Sequence, residues 1–259
     1  MKKTLISVAL TAMWAMVAVV GVFSAQGFAQ EQTPALCKAA VYRGPGASDN
    51  CANSTLEILN NTEGYEARFI SAEEIQKGGL KDYDVVCFPG GTGSGQRRAL
   101  GDKGWKELWS YLKNGGGYVG TCAGAYLALA TNQRPEGNLI NAELQKGAWE
   151  RGKAILEIEL TDEGRAILGD LQGRLNVAYQ NGPVFHPANR KDLEPYTVLA
   201  YFRTEIAENN APKGVQIDSP AIATAPDGKG RVVILSPHPE LTPDLNMIVP
   251  KIVRYAANK

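Results

Sequence analysis

The sequence has little histidine, no Cys-x-x-Cys pair and no surplus of either charge. Its 27 lysine and arginine residues are matched by 27 aspartate and glutamate residues, so the basic excess that supplies most nucleic-acid affinity is absent. No nucleic-acid partner is expected, and a small neutral or mixed-charge ligand is. Without Cys-x-x-Cys, dithiol redox chemistry has no motif to rest on. Two histidines, His186 and His238, with scattered acids give no metal-ligand spacing, so no metal and no cofactor are predicted. The stretch GGTGSGQRR, from Gly90 to Arg98, lacks the Lys-Ser/Thr ending of a phosphate loop. Arg97 and Arg98 read there as a solvated helix start. No internal repeat and no low-complexity linker breaks the chain.

The first thirty residues differ from the rest. Met1-Lys2-Lys3 is a basic start, Thr4 to Phe28 carries no charge, and Gly27 and Ala29 are small residues suited to signal peptidase. Residues 1–29 are read as a signal peptide cleaved after Ala29, or as an uncleaved anchor, the apolar run being about 20 residues or more. Membrane contact is expected only in the second case. Residues 30–259 are read as a single exported domain, with the bacterial periplasm as the natural compartment; the oligomeric state is left open.

That compartment permits disulfides, but Cys37, Cys51, Cys87 and Cys122 are too few for a disulfide framework. If KAAVYR is a strand, it carries the chain about 20 Å from Cys37 before turning back, whereas a bridge needs Cα atoms within about 7 Å. A Cys37–Cys51 bridge is not expected.

From Cys37 onward, strand and helix patterns alternate. CKAAVY, EARFI, YDVVCF and GGGYVG read as strands, and CANSTLEILN as a helix that stops at Gly64. SAEEIQK opens with a Ser71–Glu74 capping box. Trp105, Leu108, Trp109 and Leu112 recur at helical spacing and predict one buried face. Continuous apolar strands separated by amphipathic helices imply an α/β fold, doubly wound, with a mainly parallel sheet covered on both faces. AILEIEL, LNVAYQNGPVF and YTVLAYF predict further strands, read as an antiparallel extension. AIATAPDGKGRVVILS reads as a hairpin around Asp227-Gly228, and a last helix follows, started or kinked by Pro250.

Chemistry in such sheets gathers at the carboxyl ends of the strands. Cys122 sits where YVG gives way to the helix AGAYLALA, between Gly120 and Gly124, the layout of a nucleophile elbow. A helix N-terminus behind the sulfur favours thiolate. His238, just past the apolar strand ending ILS, is followed two residues later by Glu240, a base with a carboxylate to orient it. In CFPGG the backbone N–H groups of Gly90 and Gly91, with that of Ala123, can face a developing oxyanion. Cys51 is expected in a loop after the first strand, close to Cys122. His186 is read as a loop residue with a local hydrogen bond.

The ordered set RGPGAS, FPGGTGSG, GTCAGAYLA, NGPVF and SPHPE, from about Ala39 to Glu240, resembles the class I glutamine amidotransferase-like superfamily. It is most similar to the branch named for the N-terminal domain of biotin–protein ligases. The resemblance implies a flavodoxin-like amidotransferase fold, with Cys122 as nucleophile, His238 as base and Glu240 as its partner. Where glutamine-hydrolysing members carry glutamine after the second elbow glycine, this sequence has Tyr126, which puts glutamine hydrolysis in doubt. Two expectations follow. One is a cysteine hydrolase or acyltransferase acting on an amide, ester or thioester of a small or peptide-like acyl substrate. The other is a non-catalytic binding module that keeps the pocket.

Overall fold

The computed structural model describes residues 35–129 and 138–259; the segment read as a signal peptide or anchor lies outside them. The strands are β1 (Cys37–Tyr42), β2 (Tyr65–Ile70), β3 (Val85–Phe88), β4 (Gly117–Thr121), β5 (Ala142–Leu144), β6 (Lys153–Leu160), β7 (Arg174–Gln180), β8 (Phe185–Pro187), β9 (Thr197–Phe202), β10 (Pro220–Asp227) and β11 (Gly230–Leu235). The helices are α1 (Asp49–Asn60), α2 (Ala72–Gln76), α3 (Gly93–Lys113), α4 (Ala123–Ala128), α5 (Asp162–Leu168) and α6 (Ile248–Ala256).

Nine strands form one sheet in the order β2-β1-β3-β4-β11-β10-β9-β6-β7. From β2 to β11 the neighbours are parallel; from β11 to β7 they are antiparallel. The fold is therefore the α/β class that the pattern predicts, with the antiparallel extension attached through the β10–β11 hairpin. Strands β5 and β8 pair separately.

Alternation along the parallel strands builds two cores. Ala39 and Val41 of β1, Cys87 of β3 and Val233 of β11 face one side, with Leu59 of α1 and Ile252 of α6. Ala40, Val86, Phe88 and Val232 face the other, with Leu100, Leu108 and Leu112 of α3. On that second side Tyr42, Phe88 and Tyr118 stack in sequence across β1, β3 and β4, with ring centroids 4.9 and 5.5 Å apart.

Several expectations are corrected. The predicted buried face of α3 includes Trp109, but this ring is 40% exposed. Trp105, Leu108 and Leu112 fill the inward stripe, while Trp109 sits at its edge with the Lys113 ammonium 5.2 Å above the ring. Helix α1 begins two residues before CANSTLEILN, because Ser48 accepts a hydrogen bond from the Cys51 N–H and caps it. Cys51 is thereby a first-turn helical residue, not a loop residue. LNVAYQNGPVF is not one strand: Asn181, at φ 51°, breaks it into β7 and β8. His186 lies within β8, where it pairs with Glu143 of β5, so it is a strand residue. The Ser71–Glu74 capping box forms as the sequence predicts, and Pro250 lies in the first turn of α6. All four cysteines are free thiols.

The central consequence for chemistry is adjacency. Strand β4 lies between β3 and β11, with Phe88 paired to Gly120 and Leu235 paired to Thr121. Three loops, one carrying Gly90, one Cys122 and one His238, thus leave the sheet side by side.

Candidate functional site

Cys122 joins β4 to α4 with φ 50° and ψ −99°. Holding a residue with a side chain at such a positive φ costs about 1–3 kcal/mol, and surrounding structure must enforce it. Here the Cys122 N–H donates to Leu235 O at 2.8 Å and the Tyr126 N–H donates to Cys122 O at 2.9 Å, pinning the elbow to β11 below and to its helix above. The flanking glycines are needed for close approach: a Cβ on Gly124 would lie 2.1 Å from Phe88 O, and one on Gly120 would lie 2.5 Å from Gly124 O. Only bare Cα atoms let the turn settle onto β3.

His238 and Glu240 lie in the turn after β11. The His238 N–H donates to Ala178 O at 2.7 Å, which ties this turn to β7. His238 Nδ1 is 2.7 Å from Glu240 Oε1; since an ionised carboxylate only accepts, the Nδ1 proton is assigned to this contact. Cys122, Cys51, His238 and Glu240 are 7%, 5%, 4% and 6% exposed. Burial alone would lower the His238 pKa. Hydrogen bonds with Cys122, Cys51 and Glu240, and the Glu240 charge, outweigh it and push the imidazole up to about 12.

The other predicted residues fall around this group. A Cβ on Gly90 would lie 2.7 Å from His238 Cε1 and 3.0 Å from Cys51 Sγ, so glycine there lets the β3 loop close over the imidazole. Gly91, at φ 135°, bridges to Ala47 and lines the cavity. Ala123 follows the sulfur as the first residue of α4. Tyr126 also lines the cavity, its hydroxyl donating to Asn181 O at 3.0 Å and its ring meeting Trp149 edge-on at 6.4 Å. The cavity has a volume of about 1120 Å³ and reaches both Cys122 and His238. His186 does not join it: its Nδ1 is 3.6 Å from Glu143 Oε1 and 3.3 Å from Pro187 O.

Sequence reasoning misses two contributions. Gln180, the last residue of β7, accepts from Cys122 Sγ at 3.4 Å, and its neighbour Asn181 holds both Tyr126 and the Gly152 N–H. The Asn-Gly pair at 181–182 is the available signal, a strand-ending turn. The second is the contact with His238 of Cys51, expected from the sequence close to Cys122: the Cys51 Sγ lies 3.8 Å from His238 Nδ1. A residue 187 positions away from its partner leaves no trace in motif spacing.

The two remaining thiols are of another kind. Cys37, in β1, is pushed up to about 11 by burial and by the nearby Asp84 charge, against partial relief from Arg254 and Lys259. Burial raises Cys87, inside β3, further still. Both are held as neutral thiols.

Residues 37–139 match the family described as "Biotin-protein ligase, N terminal". A biotin–protein ligase from Schizosaccharomyces pombe is 29% identical over 93 residues, which are 35% of this chain and 15% of that protein's length. Among solved structures, a ThuA-like protein from Bacteroides uniformis superposes with a TM-score of 0.61 at 17% identity, covering 89% of this chain and 95% of its own. A glutamine amidotransferase from Thermotoga maritima gives a TM-score of 0.57 at 13% identity, covering 86% and 99%. The chain thus has an amidotransferase-like α/β fold, and its residues 37–139 are similar to the N-terminal part of biotin–protein ligases.

Proposed function

We propose that this protein is a cysteine hydrolase or acyltransferase acting on an amide, ester or thioester, with Cys122 as nucleophile, His238 as acid and base, and Glu240 holding the imidazole. The observation that carries the reading is the enforced positive φ of Cys122 beside a buried His238–Glu240 pair at 2.7 Å. A purely structural cysteine has no use for that strain.

In the forward step Cys122 sulfur adds to the carbonyl carbon as its proton resides on His238. The developing oxyanion meets the N–H of Ala123 and those of the Gly90–Gly91 loop. His238 then gives its proton to the leaving nitrogen, oxygen or sulfur, and an S-acyl-enzyme remains. Water, deprotonated by His238, attacks the thioester, releases the acid and returns the sulfur; an acceptor amine or alcohol in place of water makes the reaction a transfer. Glutamine is not the favoured substrate, because Tyr126 and Trp149 fill the wall beside the elbow with aromatic rings. Export through the 1–29 segment belongs to the same reading and is tested by the N-terminal sequence of the protein recovered from cell fractions.

The deciding experiment incubates the full chain with a panel of p-nitrophenyl esters, thioesters and anilides and looks for an acyl adduct on Cys122 by mass spectrometry. An adduct that turns over and is missing from Cys122→Ala supports the reading. Tight ligand binding that survives Cys122→Ala, with no adduct in the wild type, would favour a binding module instead.

A further inference from the structure

Acyl transfer through Cys122 gives Cys51 no task, yet this thiol is buried in the cavity wall against the same imidazole. Among the described residues, Cys51, His238 and Glu240 present one ligand atom each, and these atoms all lie within 4.8 Å of one another. The second carboxylate oxygen, Glu240 Oε2, is buried and has no hydrogen-bond partner. A bare buried carboxylate oxygen is costly, and the side chain that carries it is almost fully enclosed. The cluster therefore combines a thiol, an imidazole and an acceptor with unused capacity.

We propose that Cys51, His238 and Glu240 form a three-ligand site for a thiophilic divalent cation of the zinc class. One sulfur, one nitrogen and one oxygen suit a borderline-soft ion, whereas calcium and magnesium take oxygen ligands almost alone. Zinc–sulfur and zinc–nitrogen bonds of about 2.3 and 2.1 Å at a tetrahedral angle set the two ligand atoms about 3.6 Å apart. Cys51 Sγ and His238 Nδ1 are 3.8 Å apart. The 2.7 Å contact of Nδ1 with Glu240 Oε1 is a hydrogen bond, shorter than the spacing of about 3.3 Å between nitrogen and oxygen ligands of one ion. Binding thus displaces that bridging proton and the Cys51 thiol proton to solvent, and the carboxylate draws back or turns Oε2 to the ion. No electrons are exchanged. Cys51 and His238 both line the cavity, so a fourth position is reachable by water or by a ligand.

Three separate constraints hold the ligands without the ion. Ser48 caps the helix that carries Cys51, the Ala178 carbonyl anchors the His238 backbone, and Gly90 leaves the space between them free of a side chain. If the acyl-transfer reading holds, on which this consequence alone rests, the ion takes His238 and Glu240 out of the triad, and zinc acts as a reversible inhibitor.

The test titrates Co²⁺ and Zn²⁺ separately into the reduced full chain, as wild type, Cys51→Ala, Cys51→Ser and Cys122→Ala, with circular dichroism confirming folding. The expected result is one equivalent of metal and a thiolate-to-cobalt charge-transfer band in the wild type and in Cys122→Ala. Both Cys51 variants should lose the band and bind more than about tenfold more weakly. Metal binding that survives loss of Cys51, binding that disappears with Cys122 instead, or a wild type that takes up no cobalt overturns the site. Alkylation of Cys122 in metal-free protein reads the acyl-transfer proposal separately, so the two can fail independently.

Discussion

Two pairs of cysteines in this chain show how position alone sets the character of a thiol. Cys37 and Cys87 point from β1 and β3 into a single apolar core, where burial pushes both thiols up and, for Cys37, outweighs the relief from Arg254 and Lys259. Cys51, in the first turn of the helix that follows β1, and Cys122, directly after β4, line one cavity and share one imidazole. All four are buried, so exposure does not separate them. Electrostatic partners do: His238, pushed up to about 12, stands beside the second pair, while for the first pair burial outweighs every nearby charge. The lesson is that a parallel sheet keeps its interior inert and concentrates reactivity at its edge of loops.

The comparison is broken most completely by removing the proposed nucleophile. Cys122→Ala is expected to lower acyl transfer by about a thousandfold or more, read as loss of both turnover and the acyl adduct, while Cys87→Ala leaves both intact. His238→Ala is expected to slow Cys122 alkylation and turnover by about 10²-fold, measured at fixed pH with the Cys37 and Cys87 sites as internal controls. Gly124→Ala tests the elbow itself: its new methyl meets Phe88 O at 2.1 Å, and a loss of about 1–3 kcal/mol in denaturant unfolding is expected. His238 also makes a pH signature. Its folded pKa, about 12, stands above an unfolded value of about 6.5. Its contribution to stability is therefore full below about pH 6.5 and is lost as pH rises through about 12. Melting temperatures of His238→Gln should fall less steeply than those of the wild type across that window. The smallest effect is that of Cys87→Ala, a cost of about 1 kcal/mol from the small void it leaves, with no change in thiol chemistry.

Much of the parallel half was legible because its inner strands are largely apolar, as in the fully buried VVCF of β3, while the helices between them are periodic. The elbow could be read from glycines at 120 and 124, and His238 with Glu240 from their place after β11. Legibility ended where tertiary geometry overrides local pattern. Trp109 satisfies helical spacing but lies one step around the helix from the stripe that Leu108 and Leu112 fill, and Lys113 covers it instead. LNVAYQNGPVF reads as one strand until Asn181 takes a positive φ and turns the chain toward Tyr126. His186 is isolated in the sequence and gains a strand partner only when β8 meets β5. Cys51 is the clearest case: a cap at Ser48 moves it from loop to helix, and only the assembled sheet brings it to His238. Spacing rules for metal ligands look along the chain, and this cluster is gathered across it.

The most direct test of the central claim is the iodoacetamide labelling rate of each cysteine in the folded, metal-free, reduced chain, resolved by mass spectrometry, for wild type and His238→Ala. The account predicts fast labelling of Cys122 in the wild type, slowed by about 10²-fold without the imidazole, with Cys37 and Cys87 unlabelled in both proteins until they unfold. Labelling of Cys122 no faster than that of a free thiol, and indifferent to His238, would contradict it.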